Sequence, residues 1–171
     1  MSLRVGAPPV TPEKLVNIQK VNDNANTQRN VSNDVVSEAA HSEDAPTILA
    51  LLHQLGTVDT GFVQKLIYRI LTRRDIDRLA VLRELLPRAD PVDVRNLIFS
   101  AGPNLHLLLQ AGALPTATNI QAAITADNLD AVKDMMAHQK LTQEELQTIV
   151  TDAFHEFNDA ALWVQENVIL M

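Results

Sequence analysis

The stretch from Asp90 to His138 constrains the fold most, because it contains two successive helix-turn-helix units, residues 90–112 and 115–138. Apolar residues recur at helical spacing in both units, and turn-forming residues separate the helices. Asp90 followed by Pro91 marks a helix start, because aspartate caps free N–H groups and proline loses no hydrogen bond at the first helical position. Each unit leaves an apolar face uncovered and needs a neighbour. The stretch therefore predicts an all-α fold of stacked antiparallel helical hairpins.

The second of these units carries a family resemblance. The alanine pair Ala122-Ala123, the polar turn Asp127-Asn128 and the run from Leu129 to Met136 follow the order of the two helices of an ankyrin repeat. The segment from Leu107 to Ala113 is similar to the Leu-Leu-Leu-x-x-Gly-Ala ending of such a repeat. The resemblance covers about residues 91–142 and implies ankyrin-like helical hairpins in an α-solenoid.

The chain departs from the ankyrin pattern in two respects. It has no Thr-Pro-Leu-His motif, and residues 115–118 are too few for the projecting β-hairpin of that family. The leucine or methionine pairs at 85–86, 108–109 and 135–136 are 23 and 27 residues apart, below the roughly 33 residues of an ankyrin repeat. The resemblance thus implies hairpins without the fingers, and generic helical hairpins are the alternative.

Residues 1–45 are predicted to form a mostly irregular N-terminal arm. They contain six asparagines and no aromatic residue, so they bury too little apolar area to offset the entropy of ordering. A proline at the first helical position and spaced apolar residues predict one short helix at 12–21, against the alternative of a solvated tail. The polar composition of the arm is similar to the leaders of bacterial type III secretion substrates.

Residues 46–171 are predicted to form a single helical repeat domain. Gly56 ends a first helix that begins at Pro46, and Asp75 is placed to cap the second helix of the next hairpin. A capping box at Thr142 starts a later helix. The apolar positions of these helices predict the core: Leu66, Ile70, Leu82, Leu97, Leu108, Ile124, Val132 and Ile149.

No motif in the sequence supports a catalytic, metal or cofactor site. The chain has no cysteine, which excludes disulfides and thiolate zinc sites, and its loop at 56–61 lacks the lysine that a phosphate loop needs. Its five histidines are not spaced to bind a metal on one helix, although histidines of different hairpins can still meet. We therefore predict a protein that is not an enzyme and has no cofactor. A cluster of His106, His138 and carboxylates in one cavity would favour the enzyme alternative.

Charge is distributed unevenly along the chain. Residues 61–100 contain eight Lys or Arg and five Asp or Glu, whereas residues 127–166 contain two and nine. Three basic residues recur every fourth position on one predicted helix face, and a fourth adjoins them. The predicted site for an acidic or phosphate-bearing protein partner is this set: Lys65, Arg69, Arg73 and Arg74. The alternative is a solvated face whose arginines pair with nearby acids.

Replacing Arg69 and Arg73 with glutamate is expected to leave the fold intact and weaken partner capture. Nucleic acid is a poor candidate partner, because the net charge is -7 and no aromatic platform accompanies the short basic cluster.

The leading functional hypothesis is a non-catalytic protein–protein interaction module built on a helical repeat array and acting in the cytoplasm. The alternative is a bacterial secreted effector or secretion regulator, delivered into a host cell, with residues 1–45 as its export or chaperone-binding segment. Export of a reporter fused to these residues would separate the two hypotheses. No apolar run reaches the roughly 20 residues of a membrane span, so no such span is predicted.

Overall fold

The computed structural model describes residues 32–56 and 58–168. Over these residues the chain forms ten α-helices and two 3₁₀ turns and has no β-strand, so the all-α prediction is confirmed. The chain divides between Ala89 and Asp90 into two compact units, where the sequence suggested one domain over 46–171. None of the helices in the described ranges has the length and apolar character needed to cross a membrane. The short helix predicted at 12–21 lies outside the described residues.

The described part of the first unit contains four α-helices, α1 to α4. They span Asn33–Ser42, Ala45–Gln54, Thr60–Leu71 and Arg78–Leu85, and a 3₁₀ turn over Leu86–Arg88 follows. Each helix begins after a polar side chain that accepts a hydrogen bond from the first turn: Ser32, Asp44, Asp59 and Asp77. Helices α1 and α4 each pack against both α2 and α3. The apolar faces that meet in this way form the core of the unit.

Helix α1 lies within the range that the sequence suggested was an irregular arm. Its Val36, Ala39 and Ala40 are buried and recur at helical spacing, so this part of 1–45 belongs to a packed unit. Two of the three buried residues are alanines, which add little hydrophobicity to an otherwise polar segment. Composition therefore underestimated how far the folded region extends toward the N-terminus.

Helix α4 begins two residues later than the sequence predicted. Asp77, rather than Asp75, accepts the capping hydrogen bond from the N–H of Ala80, at 3.2 Å. The Asp75 carboxylate instead forms an ion pair with Arg73, with the nitrogen and oxygen atoms 2.8 Å apart. The prediction that Asp75 caps this helix is wrong, because a cation two residues earlier in the chain occupies its carboxylate.

The described part of the second unit contains six α-helices, α5 to α10. They span Pro91–Phe99, Leu105–Gln110, Ala117–Thr125, Leu129–His138, Gln143–Ala153 and Asp159–Asn167, with a 3₁₀ turn over Gly102–Asn104. Helix α7 contacts α5, α8, α9 and α10. Helix α8 also contacts α6 and α10, and α9 contacts α10. Most of these contacts join helices that are one or two positions apart along the chain.

Turn residues separate the helices of the second unit where the sequence predicted. Asp90 caps α5 through a hydrogen bond of 2.8 Å, and Thr142 and Glu145 form the predicted capping box at the start of α9. Gly112, which follows α6, has a φ of 108°, a backbone conformation that L side chains rarely adopt. Asp127, at the predicted polar break between α7 and α8, has a φ of 52°. Local sequence therefore specifies these helix ends.

The predicted core residues are all buried. None of them exposes more than 3% of its surface: Leu66, Ile70, Leu82, Leu97, Leu108, Ile124, Val132 and Ile149. The core prediction is confirmed, because helical periodicity identifies the face that each helix turns toward its neighbours.

We expect Leu108→Ala to lower the free energy of unfolding by about 2 to 5 kcal/mol, because Leu108 is completely buried in α6 and its truncation leaves a cavity. Denaturant unfolding followed by circular dichroism measures the change. Leu114→Ala is the matched control: Leu114 is 48% exposed, and its truncation should cost about 0.5 kcal/mol or less. An equal decrease of the free energy of unfolding in the two variants would contradict the burial of Leu108.

Candidate functional site

Helix α3 presents basic residues on the face opposite the core. Leu66 and Ile70 are buried, whereas Lys65 and Arg69 are exposed. Arg74, beyond the end of the helix, is exposed as well. Among the described residues, no carboxylate pairs with any of these three cations. Three of the four predicted site residues therefore present their charge to solvent.

A groove of about 380 Å³ lies beside this basic face. Residues of α1 and α3 and the end of α3 line it: Ser37, Phe62, Lys65, Leu66, Tyr68, Arg69 and Thr72. The groove combines two cations with an exposed tyrosine ring and contains no carboxylate. We call it the basic groove. Its lining therefore places positive charge beside aromatic side chains.

Arg73, the remaining predicted site residue, is directed into the fold. Its side chain is only 11% exposed, and its Nη1 atom donates hydrogen bonds to the carbonyl oxygens of Ala40 and Glu43 at the end of α1. Its Nε and Nη2 atoms donate to the Asp75 carboxylate, at 3.2 and 2.8 Å. Arg73 therefore joins the end of α1 to the end of α3. Glutamate cannot donate these hydrogen bonds, so Arg73→Glu is expected to destabilise the fold rather than leave it intact.

Two further arginines of the first unit also bond to backbone carbonyls. Arg78 donates to the carbonyl oxygen of Leu71 at 3.1 Å. Arg88 donates to the carbonyl oxygen of Leu52 at 3.2 Å and pairs with Glu84 at 2.9 Å. The alternative of arginines paired with nearby acids thus describes Arg73 and Arg88, but not the two cations of the basic groove.

We expect Arg73→Gln to lower the free energy of unfolding by about 1 to 3 kcal/mol, because the carbonyls of Ala40 and Glu43 lose a charged donor. The hydrogen bond from the Arg73 side chain lowers the pKa of Asp75, and this pKa should rise toward its ordinary value in the variant. Chemical unfolding and an NMR titration of the Asp75 carboxyl carbon measure the two effects. Arg74→Gln is the neighbouring control and should change neither quantity, since Arg74 is exposed. An Arg73→Gln protein as stable as Arg74→Gln would contradict the linking role.

The second unit brings together two histidines that are far apart in the sequence. The Nδ1 atom of His106 on α6 donates to the Asp134 carboxylate on α8, with 3.0 Å to Oδ1. His138, one turn after Asp134, places its Nδ1 atom 2.9 Å from the Asp134 carbonyl oxygen. The two imidazole rings meet edge to face, with centroids 6.2 Å apart. The sequence allowed histidines of different hairpins to meet, but only the packing of α6 on α8 selects this pair.

His106 and Asp134 lie on the wall of a groove of about 490 Å³, which we call the acidic groove. Its lining contains no serine, threonine, cysteine, tyrosine or lysine. The His106 side chain is 63% exposed, and the described ranges contain no group of three or more potential metal ligands. The groove thus brings His106 together with Asp130 and Asp134, whereas His138 is not among its lining residues.

No family model, curated protein or solved structure matches the chain. The ankyrin resemblance therefore stays a prediction, and function is inferred from the two grooves and the charges around them.

Proposed function

We propose that this protein is a non-catalytic interaction module that binds an acidic segment of a partner protein in the basic groove. The observation that carries the proposal is the pair Lys65 and Arg69, which are exposed, line one groove and have no acidic partner among the described residues. The pair is one helical turn apart, or about 6 Å along the helix axis. Alternate side chains of an extended segment are separated by about 6.6 Å, so two of its carboxylates match this spacing.

Apolar side chains in the same groove strengthen the proposal. Phe62 and Tyr68 lie beside the two cations and offer an aromatic surface that a purely ionic ligand would not cover. Exposed ion pairs alone contribute little, about 0 to 1 kcal/mol each, so a stable complex also needs apolar contact. The expected partner segment therefore carries apolar residues as well as acidic ones.

The helix contacts support a repeat architecture for the module. Within each unit taken by itself, most helix contacts join a helix to the next one or to the one after it, which is compatible with stacked antiparallel hairpins. Such arrays build broad surfaces from side chains of several helices. We include this hairpin arrangement in the proposal, with the ankyrin-like form that lacks the fingers as one version of it.

The peptide acetyl-Glu-Leu-Glu-Leu-Glu-amide, carrying a fluorescent label, tests the basic groove on the full chain. We expect binding by fluorescence anisotropy, and an affinity about fivefold lower for Lys65→Glu and for Arg69→Glu, because each change replaces an attraction with a repulsion. A peptide with glutamine in place of glutamate should bind more weakly to the unchanged protein.

Arg83→Glu is the matched control for these variants. Arg83 is exposed on α4, lies outside the groove lining and undergoes the same change of charge. Its replacement should alter the affinity by less than about twofold. If Arg83→Glu and Arg69→Glu lowered the affinity for the peptide equally, the binding would depend on overall charge, and the proposed site would be overturned.

A further inference from the structure

The acidic groove lies within the second unit. Parts of α5, α6, α7 and α8 and the 3₁₀ turn after α5 line its volume of about 490 Å³. Its lining includes Asp130 and Asp134 and contains no lysine or arginine. It shares no residue with the basic groove, so the proposed function does not account for it.

The floor of the acidic groove is apolar and is built from small side chains. Ala122, Ala123 and Ala126 contribute only methyl groups, which leaves space above α7. Phe99 lies at the same groove and is 48% exposed. The aliphatic stem of a lysine or arginine can cover such a floor, and an aromatic ring attracts its cationic end.

Two carboxylates form one wall of the groove. Asp130 and Asp134 are one turn apart on α8, or about 6 Å along the helix axis. The Asp130 carboxylate has no hydrogen bond or ion pair with any described residue, whereas Asp134 is oriented by His106. Residues 90–168 contain eleven Asp or Glu and three Lys or Arg, so the surrounding potential is negative as well.

We infer that the acidic groove binds an extended segment of a partner protein with lysine or arginine at alternate positions. Such side chains point to the same side of the segment and are about 6.6 Å apart, close to the spacing of the two carboxylates. Charge complementarity selects a basic segment, and the apolar floor favours an aliphatic stem over a small inorganic cation. The module then binds segments of opposite charge in two different grooves.

The labelled peptide acetyl-Leu-Arg-Leu-Arg-Leu-amide is the probe, used with the full chain. A matched peptide carries citrulline in place of arginine, which preserves size and removes the charge. We expect the arginine peptide to bind roughly tenfold more tightly than the citrulline peptide. In the NMR spectrum of the labelled protein, the largest amide shifts should fall in α7 and in the first turns of α8.

Substitutions in the groove test separately how its charge and its shape affect the affinity for the arginine peptide. Asp130→Asn and Asp134→Asn should each weaken binding of the arginine peptide about fivefold. Ala122→Leu should weaken it without any change of charge, because Ala122 lines the floor and is exposed enough to accept a larger side chain. Glu166→Gln in the same unit is the control for overall charge, since Glu166 does not line the groove. Thermal unfolding of each variant shows that the fold is retained.

Three results would overturn this inference. The first is an equal affinity for the arginine and citrulline peptides. The second is an equal loss of affinity for the arginine peptide in the Glu166→Gln and Asp130→Asn variants. The third is the absence of shifts in α7 and α8. Lys65→Glu and Arg69→Glu should leave the arginine peptide unaffected, so failure of the acidic groove is distinguishable from failure of the basic groove.

Discussion

Burial of aliphatic side chains between neighbouring helices is the interaction on which the rest of the structure depends. The helices are short, and α6 spans only Leu105–Gln110. Helices of this length are not stable in water by themselves, so their stability comes from packing. Ile67 and Leu82 are completely buried in the first unit, as are Ile120 and Ile149 in the second. Burying each such side chain contributes about 1.5 to 3 kcal/mol, and the same packing fixes the helices whose outer faces form the two grooves.

Polar side chains then fix how the helices of a unit are joined. Arg73 binds two carbonyl groups at the end of α1 from its position at the end of α3. In the second unit the buried Asn119 donates to the carbonyl oxygen of Arg95 on α5 at 3.1 Å, while it also takes part in the capping box of α7. Asp127 accepts a hydrogen bond of 3.0 Å from the N–H of Ala160 on α10. These side chains satisfy backbone groups that the ends of helices leave free, and they do so across neighbouring elements.

One proposed binding surface lies in each of the two units. In the first unit, several arginine side chains donate hydrogen bonds to backbone carbonyls and so stabilise the fold. Lys65 and Arg69 are instead exposed beside aromatic side chains. In the second unit the alanines of α7 leave a groove, and Asp130 and Asp134 give it a negative wall. The two surfaces share one design, in which a pair of like charges one helical turn apart lies beside an apolar floor.

The sequence by itself determined the helical class, the buried face of most helices and several helix ends, because these depend on spacing and on capping groups within a few residues. Asp90, Thr142 and Gly112 acted as local signals and had the predicted effect. Only the tertiary structure decided which charged residues are free. Arg73 shares a helical stripe with Arg69, yet it turns inward because the end of α1 presents two carbonyls to it. Tertiary packing likewise brought His106 to Asp134, 28 positions later in the chain, since contacts between helices depend on their relative position and not on local spacing.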